Sequence, residues 1–257
     1  MADIVFNMQL LALIISRVTA FFYHMPVLGG KYIPNSGKIA LGLCLSLVIF
    51  PLVPRPSIPA EGPFMIDFGV FMLKEVIVGL SIGLAVSLFI NGIRFTGRLI
   101  GRNMGLMMAN VIDPESGMNV SIIEQINYLF FIFIFLVLNG HYFLVRALVD
   151  SYSMVPVGGF KFHADVIELL LKMFNNIFII GFKIGMPVFG ALIINTVMLG
   201  IIAKVASKIR ILIISFPMRI MTGVIMMALT FSMIMGAYME YYEEIKIWVY
   251  RVIQTMH

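Results

Sequence analysis

Five stretches of this chain carry no Asp, Glu, Lys or Arg: residues 39–54, 76–93, 125–145, 184–203 and 220–239. Four of them reach the ~18 to 20 residues that a helix needs to cross a hydrocarbon core. A sixth apolar segment, Ile4 to Leu28, is interrupted only by Arg17. Charged residues make up 12% of the chain and hydrophobic ones 61%, whereas soluble domains carry about 25% charged residues. A chain with so little polar surface belongs in or against a membrane, and its regular structure is all-α.

Turn residues set the expected boundaries. The first helix ends near Pro26 and Gly29-Gly30, and the second near Pro51, ahead of the proline-rich connector Pro54 to Pro59, because proline cannot continue a helix. A third runs from about Asp67 to Arg102 and a fourth from about Ile122 to Tyr152, stopping before Pro156-Val157-Gly158-Gly159. The fifth, about Ala164 to Ser207, contains Pro187 and is expected to kink or break there. The sixth starts around Phe216-Pro217 and continues past Tyr238, where Glu240, Glu243, Glu244 and Lys246 alternate with Ile245, Trp248, Val249 and Val252 at helical spacing. No repeat stands out, so residues 1–257 read as one multi-helix, membrane-associated domain.

Several function classes fall away. The residues before Arg17 include only Asp3 as a charge, so the positive region of a secretory signal is missing and the first segment is expected to be retained. Cys44 is the single cysteine and lies in an apolar run. It offers no internal disulfide or zinc cluster and reads as a small core residue. The net charge of +5 comes from cations scattered over segment ends, not from a basic stripe with stacking aromatics, so nucleic acid is not the partner. Six simple spans would place eight cations on one side and seven on the other. That balance gives no orientation under the positive-inside rule and suggests that partners fix the topology.

The motifs that suggest enzymes lack their context. Gly79-Leu80-Ser81-Ile82-Gly83 fits the nucleophile-elbow pattern, but it sits inside an apolar run rather than a strand-turn-helix, with no His and Asp to activate the serine. The glycines at four-residue spacing read as a close helix contact instead. Gly29-Gly30-Lys31 lacks the remaining residues of a phosphate loop. His141 has no second His or carboxylate at ligand spacing and reads as a structural hydrogen-bonding residue. No catalytic residue, cofactor or metal site emerges.

Other residues point to a passive but built structure. Gly97, Gly101 and Gly105 form a second packing stripe, flanked by Arg94, Arg98 and Arg102 at the same spacing. These arginines read as contacts to a partner's carboxylates or to lipid headgroups. Charges inside apolar helices are costly and face partners or water. Arg17 is the clearest case; Lys74 and Glu75, Lys183 and Arg219 are others, with snorkelling of the cations to an interface as the simpler account. The loop Gly105 to Ser121 joins two long apolar segments and is rich in Met and structure breakers. Met seals irregular gaps without a fixed shape, so Leu106, Met107, Met108, Asn110, Ile112, Asp113, Pro114 and Met118 suit a soft plug. The alternative is an ordinary connection whose methionines pack on neighbouring helices.

Taken in order, the residues resemble a known family. Arg17 precedes Pro26-Val27-Leu28; Ile33-Pro34 precedes Lys38-Ile39-Ala40-Leu41; then come Gly79 and Gly83, Gly101 to Gly105, Asp113-Pro114, Asn139-Gly140-His141 with Asp150, Pro156-Val157-Gly158, and Phe216-Pro217. This set is similar to the FliR family of flagellar export gates, homologous to the SctT subunits of injectisomes, and Asp113-Pro114 with Val149-Asp150-Ser151-Tyr152 looks like the flagellar branch. One departure is Ser207-Lys208-Ile209-Arg210, where the family often has a Pro-Gln pair.

The resemblance implies a non-enzymatic, multi-pass subunit of the bacterial cytoplasmic membrane. It would form a hetero-oligomer with FliP and FliQ homologues, next to FlhB and FlhA homologues, in the flagellar basal body. Its helical hairpins would stack in a spiral partly above the bilayer plane, around a pore for unfolded flagellar subunits as transient cargo. The loop 105–121 would plug the closed pore. The competing reading is a small secondary transporter working alone, with Arg17 and Glu75 on a substrate path; such proteins usually show two related halves with broken helices.

Overall fold

The computed structural model describes residues 2–25, 34–54, 65–106, 121–161, 164–205 and 211–256. These residues form α-helices and no strand: α1 (Ala2–His24), α2 (Asn35–Ile49), α3 (Met65–Asn103), α4 (Ile122–Val137), α5 (Gly140–Met154), α6 (Ala164–Val205), α7 (Ile211–Leu229) and α8 (Phe231–Gln254). A 3₁₀ turn, Phe50–Leu52, closes α2 and contains Pro51, whose missing N–H cannot continue the ladder. Four segments are individually long and apolar enough to cross a membrane, and the pairs α4–α5 and α7–α8 raise the number to six if each bent pair is one span. The chain is therefore a multi-pass membrane protein.

The structure changes three expectations and narrows a fourth, that for Pro187. The fourth helix is two, because Asn139 takes the left-handed conformation (φ 57°, ψ 33°) between α4 and α5, a conformation that asparagine tolerates better than most residues. The sixth helix starts at Ile211 rather than near Phe216 and bends by 63° at Thr230. There the Thr230 hydroxyl donates to the Met226 carbonyl at 2.7 Å, beside the Thr230 N–H at 2.9 Å. Pro187 lies inside α6 without breaking it. Cys44 is exposed: α2 buries Gly42, Ser46 and Ile49, and Cys44 falls on another face of that helix.

Contacts divide the chain into two compact units, residues 1–89, 136–174 and 243–257 in the first and residues 90–135 and 175–242 in the second. The first unit buries Leu13, Ile14 and Phe21 of α1, Ile82 and Val86 of α3, and Leu148 and Tyr152 of α5. The second packs Ile100 of α3, Met104 just beyond it, Ile123 of α4, and Val188, Phe189 and Leu192 of α6 into one cluster. It adds an aromatic group in which Phe131 meets Tyr238 edge-on at 5.8 Å. Outside these cores large apolar side chains stay open, such as Leu171, Met186, Ile194 and Ile201 along α6. Lipid or another protein must cover such a surface.

Candidate functional site

Arg17 and Glu75 meet in the first unit. Both side chains are fully buried, with Nε 2.6 Å from Oε2 and Nη2 3.1 Å from Oε1. This is the forked geometry that matches a guanidinium to a carboxylate. The remaining donors go to α5 and the turn after it: Nη1 to the Ser151 carbonyl (3.2 Å) and hydroxyl (3.1 Å), and Nη2 to the Val155 carbonyl (3.0 Å). Each of the five N–H groups of Arg17 thus has an acceptor. The Tyr152 ring lies 4.1 Å from the guanidinium carbon, and Glu75 also accepts the Gly158 N–H at 2.8 Å.

The local sequence explains why this works. The Ser151 carbonyl lies in the last turn of α5, where it also accepts the Val155 N–H at 2.8 Å, so the guanidinium meets the partly negative C-terminal end of a helix. Pro156 follows and cannot extend the helix, and Gly158 turns the chain back at φ +77°. Lys74 donates to the Gly158 carbonyl at 3.3 Å, so neighbouring residues of α3 hold both sides of one turn. Gly79 and Gly83 of α3 bring α1 close enough for the clamp to close. A Cβ on Gly79 would overlap the Arg17 carbonyl, and one on Gly83 would lie 2.8 Å from the Phe21 carbonyl.

A second arrangement joins α3 to α4 in the other unit. A Cβ on Gly97 would sit 2.6 Å from the Glu124 Cα, and one on Gly101 would overlap the Ser121 hydroxyl. Beside these glycines Arg98 grips Glu124 through Nε (2.9 Å) and Nη2 (2.8 Å). Arg94 lies over the Tyr128 ring at 3.9 Å. Arg102 is exposed one turn further on. Gly105 differs from the other two glycines. It stands beyond the last residue of α3 with φ +82°, donates to the Arg102 carbonyl at 3.0 Å, and ends the helix as glycine commonly does.

Of the residues singled out for a plug, Leu106 is described and packs against the Ile100, Met104 and Val188 cluster. Met107, Met108, Asn110, Ile112, Asp113, Pro114 and Met118 lie outside the described residues, as does Ser207-Lys208-Ile209-Arg210. His141 is exposed in the first turn of α5, and its imidazole makes no hydrogen bond to another described residue. Among the described residues no three His, Cys, Asp or Glu side chains converge as metal ligands. What the described geometry supplies is polar and closely packed joints between helices.

Residues 8–245 match the bacterial export proteins, family 1. The chain belongs to that family. It is 27% identical over 212 residues to the flagellar biosynthetic protein FliR of Escherichia coli (strain K12), covering 82% of this chain and 80% of that protein. The FliR of Bacillus subtilis (strain 168) is 28% identical over 226 residues, 86% of each chain, and that of Aquifex aeolicus (strain VF5) is 28% identical over 220 residues, covering 85% and 83%. The resemblance to the FliR family noted in the sequence holds over most of the chain, and this member is a component of the flagellar export apparatus.

Both joints of this export protein draw on residues that sequence reasoning passed over. Glu124 was missed because a carboxylate in the first turn of a helix is ordinary; its signal was the facing Arg98. Ser151, Val155 and Gly158 act mainly through backbone groups, which no side-chain pattern announces. Asn195 of α6 donates to the Met218 carbonyl (3.2 Å) and the Thr222 hydroxyl (2.8 Å) of α7, a third polar joint between apolar helices.

Proposed function

We propose that this export protein is a non-enzymatic subunit of the flagellar type III export gate in the bacterial inner membrane. It forms one family domain that assembles with FliP and FliQ homologues, beside FlhB and FlhA homologues, around the pore for unfolded flagellar subunits. The observation that carries this reading is the family match over residues 8–245. The open apolar face of α6 and the polar joints between helices agree with a part made to be packed against others.

In this reading residues 105–121 are the plug. Support comes from the Met and Gly content of the loop and from its two fixed ends, Leu106 on the core of the second unit and Ser121 against Gly101. Arg17, Glu75, Gly79, Gly83, Gly97 and Gly101 hold the frame. Removing part of Leu106 to Met118 opens a leak to ions or small molecules, measured as membrane conductance in cells with the shortened loop. Unchanged conductance with normal assembly rejects the plug. Expression of the chain alone, compared with co-expression with FliP and FliQ homologues, tests the subunit reading. Equal recovery of a monodisperse monomer without them rejects it and favours a self-sufficient transporter.

A further inference from the structure

We propose that the Arg94, Arg98 and Arg102 ridge of α3 docks an acidic helix of a neighbouring protein subunit, whose carboxylates stand about two turns apart. The proposal rests on the multi-subunit reading above and adds a surface and a chemistry to it.

The three arginines follow one another every four residues, so they rise by about 6 Å per step and about 12 Å in all. Arg98 is half exposed although its fork is closed on Glu124. Arg94 has the Tyr128 ring beneath it but no carboxylate among the described residues, and exposed Arg102 has no partner among them at all. Asn91 adds an exposed amide one turn before Arg94. Like charges at this spacing repel along a helix, and hydrocarbon cannot cover them. Among the described residues the ridge therefore lacks anions for Arg94 and Arg102, and a neighbouring subunit can supply them.

The chain itself is short of them where they are needed. Residues 90–135 and 175–242 hold eight Lys and Arg against four Asp and Glu, while the rest of the chain holds ten against nine. Most of the excess positive charge is thus in the unit that carries the ridge. One of its four acids, Glu124, is already committed to Arg98. That pair also shows which ligand the ridge takes: a carboxylate, received in a fork.

Spacing favours one rigid protein partner over one lipid. Arg94 and Arg102 need two anions about 12 Å apart, beyond the reach of one phospholipid phosphate. A helix with Asp or Glu at positions i and i+7 or i+8 presents them on one side.

The test uses the full chain co-expressed with FliP and FliQ homologues and purified in mild detergent, with its membrane level as the reference. Replacing Arg94→Gln and Arg102→Gln together is expected to lower the recovered complex by about tenfold. Arg94→Glu with Arg102→Glu is expected to abolish it. Separately, Arg102→Lys treated with a carbodiimide, which joins an amine to a carboxylate at zero length, is expected to give an adduct with a subunit's Asp or Glu. This arm keeps a cation on an exposed position and does not depend on how the other variants fold. Native complex yield from both double variants, or no adduct, overturns the proposal. So does an intact complex that has merely lost bound phosphatidylglycerol, which would make the ridge a lipid site. If the unaltered chain forms no complex, the subunit reading fails as well; failure confined to the variants' predictions leaves it standing.

Discussion

Arg17 and Arg98 both grip a carboxylate with a forked guanidinium, yet they sit in opposite circumstances. Arg17 is fully buried, each of its donors is matched within the first unit, and its partner Glu75 takes a further backbone N–H. Arg98 is half exposed and is flanked by two arginines that have no carboxylate among the described residues. The Arg17 site has every donor matched inside the fold, while the Arg98 site stands beside charge with no carboxylate among the described residues. A membrane protein built only to fold would have no reason for the second arrangement, whereas a subunit of a larger assembly needs a rigid part and a docking part.

The strongest way to break this comparison is to open the closed site. Arg17→Leu leaves Glu75 buried without its partner, at an expected cost of about 3 to 5 kcal/mol, read as a lower thermal aggregation midpoint in detergent and a fall in recovered protein. Joint replacement by Arg17→Met and Glu75→Met removes both charges and is expected to recover part of that loss. It does not recover all of it, because the Ser151 and Val155 carbonyls and the Gly158 N–H lose their acceptor or donor. If Arg17→Leu alone has the parent's midpoint, the clamp contributes nothing and the first unit is held by its apolar core.

The glycine contacts allow the same question in both units. Gly79→Val drives a side chain into the Arg17 carbonyl, and Gly97→Val drives one into the α4 backbone at Glu124. Each is expected to cost about 1 to 3 kcal/mol through overpacking. The Gly79 variant is expected to lower the stability of the chain wherever it is measured. The Gly97 variant is expected also to reduce complex formation, because it moves Glu124 away from Arg98 beneath the ridge. Equal effects of the two on complex yield, after correction for the amount of folded chain, would remove the functional distinction.

How much of this was legible depended on which atoms carried the information. The limits of α3 were readable because the charge-free run 76–93 lies between the proline-rich connector before Asp67 and the loop that begins at Gly105. Arg17 was readable because a lone charge among apolar residues demands a partner. That its partner is Glu75 was not, since the pairing depends on Gly79 and Gly83 bringing α1 onto α3. The α4–α5 break hides in Asn139, an ordinary residue until its backbone turns left-handed. The bend at Thr230 has no Pro or Gly beside it to announce it. Cys44 was misplaced because α2 is apolar on every side, and without contrast between faces hydropathy does not tell core from exterior.

A milder probe of the open site is Arg98→Gln. It leaves the nearly buried Glu124 without its fork, but water can reach the place that Arg98 vacates, because Arg98 is 52% exposed. The expected loss is about 1 kcal/mol, well below that for Arg17→Leu. The pair Arg98→Gln and Glu124→Gln should lie close to the parent in the same thermal assay. A loss from Arg98→Gln as large as that from Arg17→Leu would show that the second site is as closed as the first.

The smallest effect should come from Tyr238, whose side chain is wholly buried in the second unit against the edge of Phe131. Its hydroxyl has no hydrogen-bond partner among the described residues, and a buried polar group left unmatched is a cost rather than a contribution. Tyr238→Phe keeps the ring and its edge-on contact while removing the unmatched oxygen, so the isolated chain should be unchanged or more stable by up to about 1 kcal/mol. Measured in the assembled complex, the same variant tells whether a second subunit reaches this oxygen. A stability loss seen in the complex and not in the chain alone would place an acceptor or donor from outside at Tyr238, and would make the second unit incomplete in its core as well as along its arginine ridge. A loss in the chain alone would mean that the hydroxyl already has a partner within the fold, and the contrast between a closed and an open unit would narrow to the ridge.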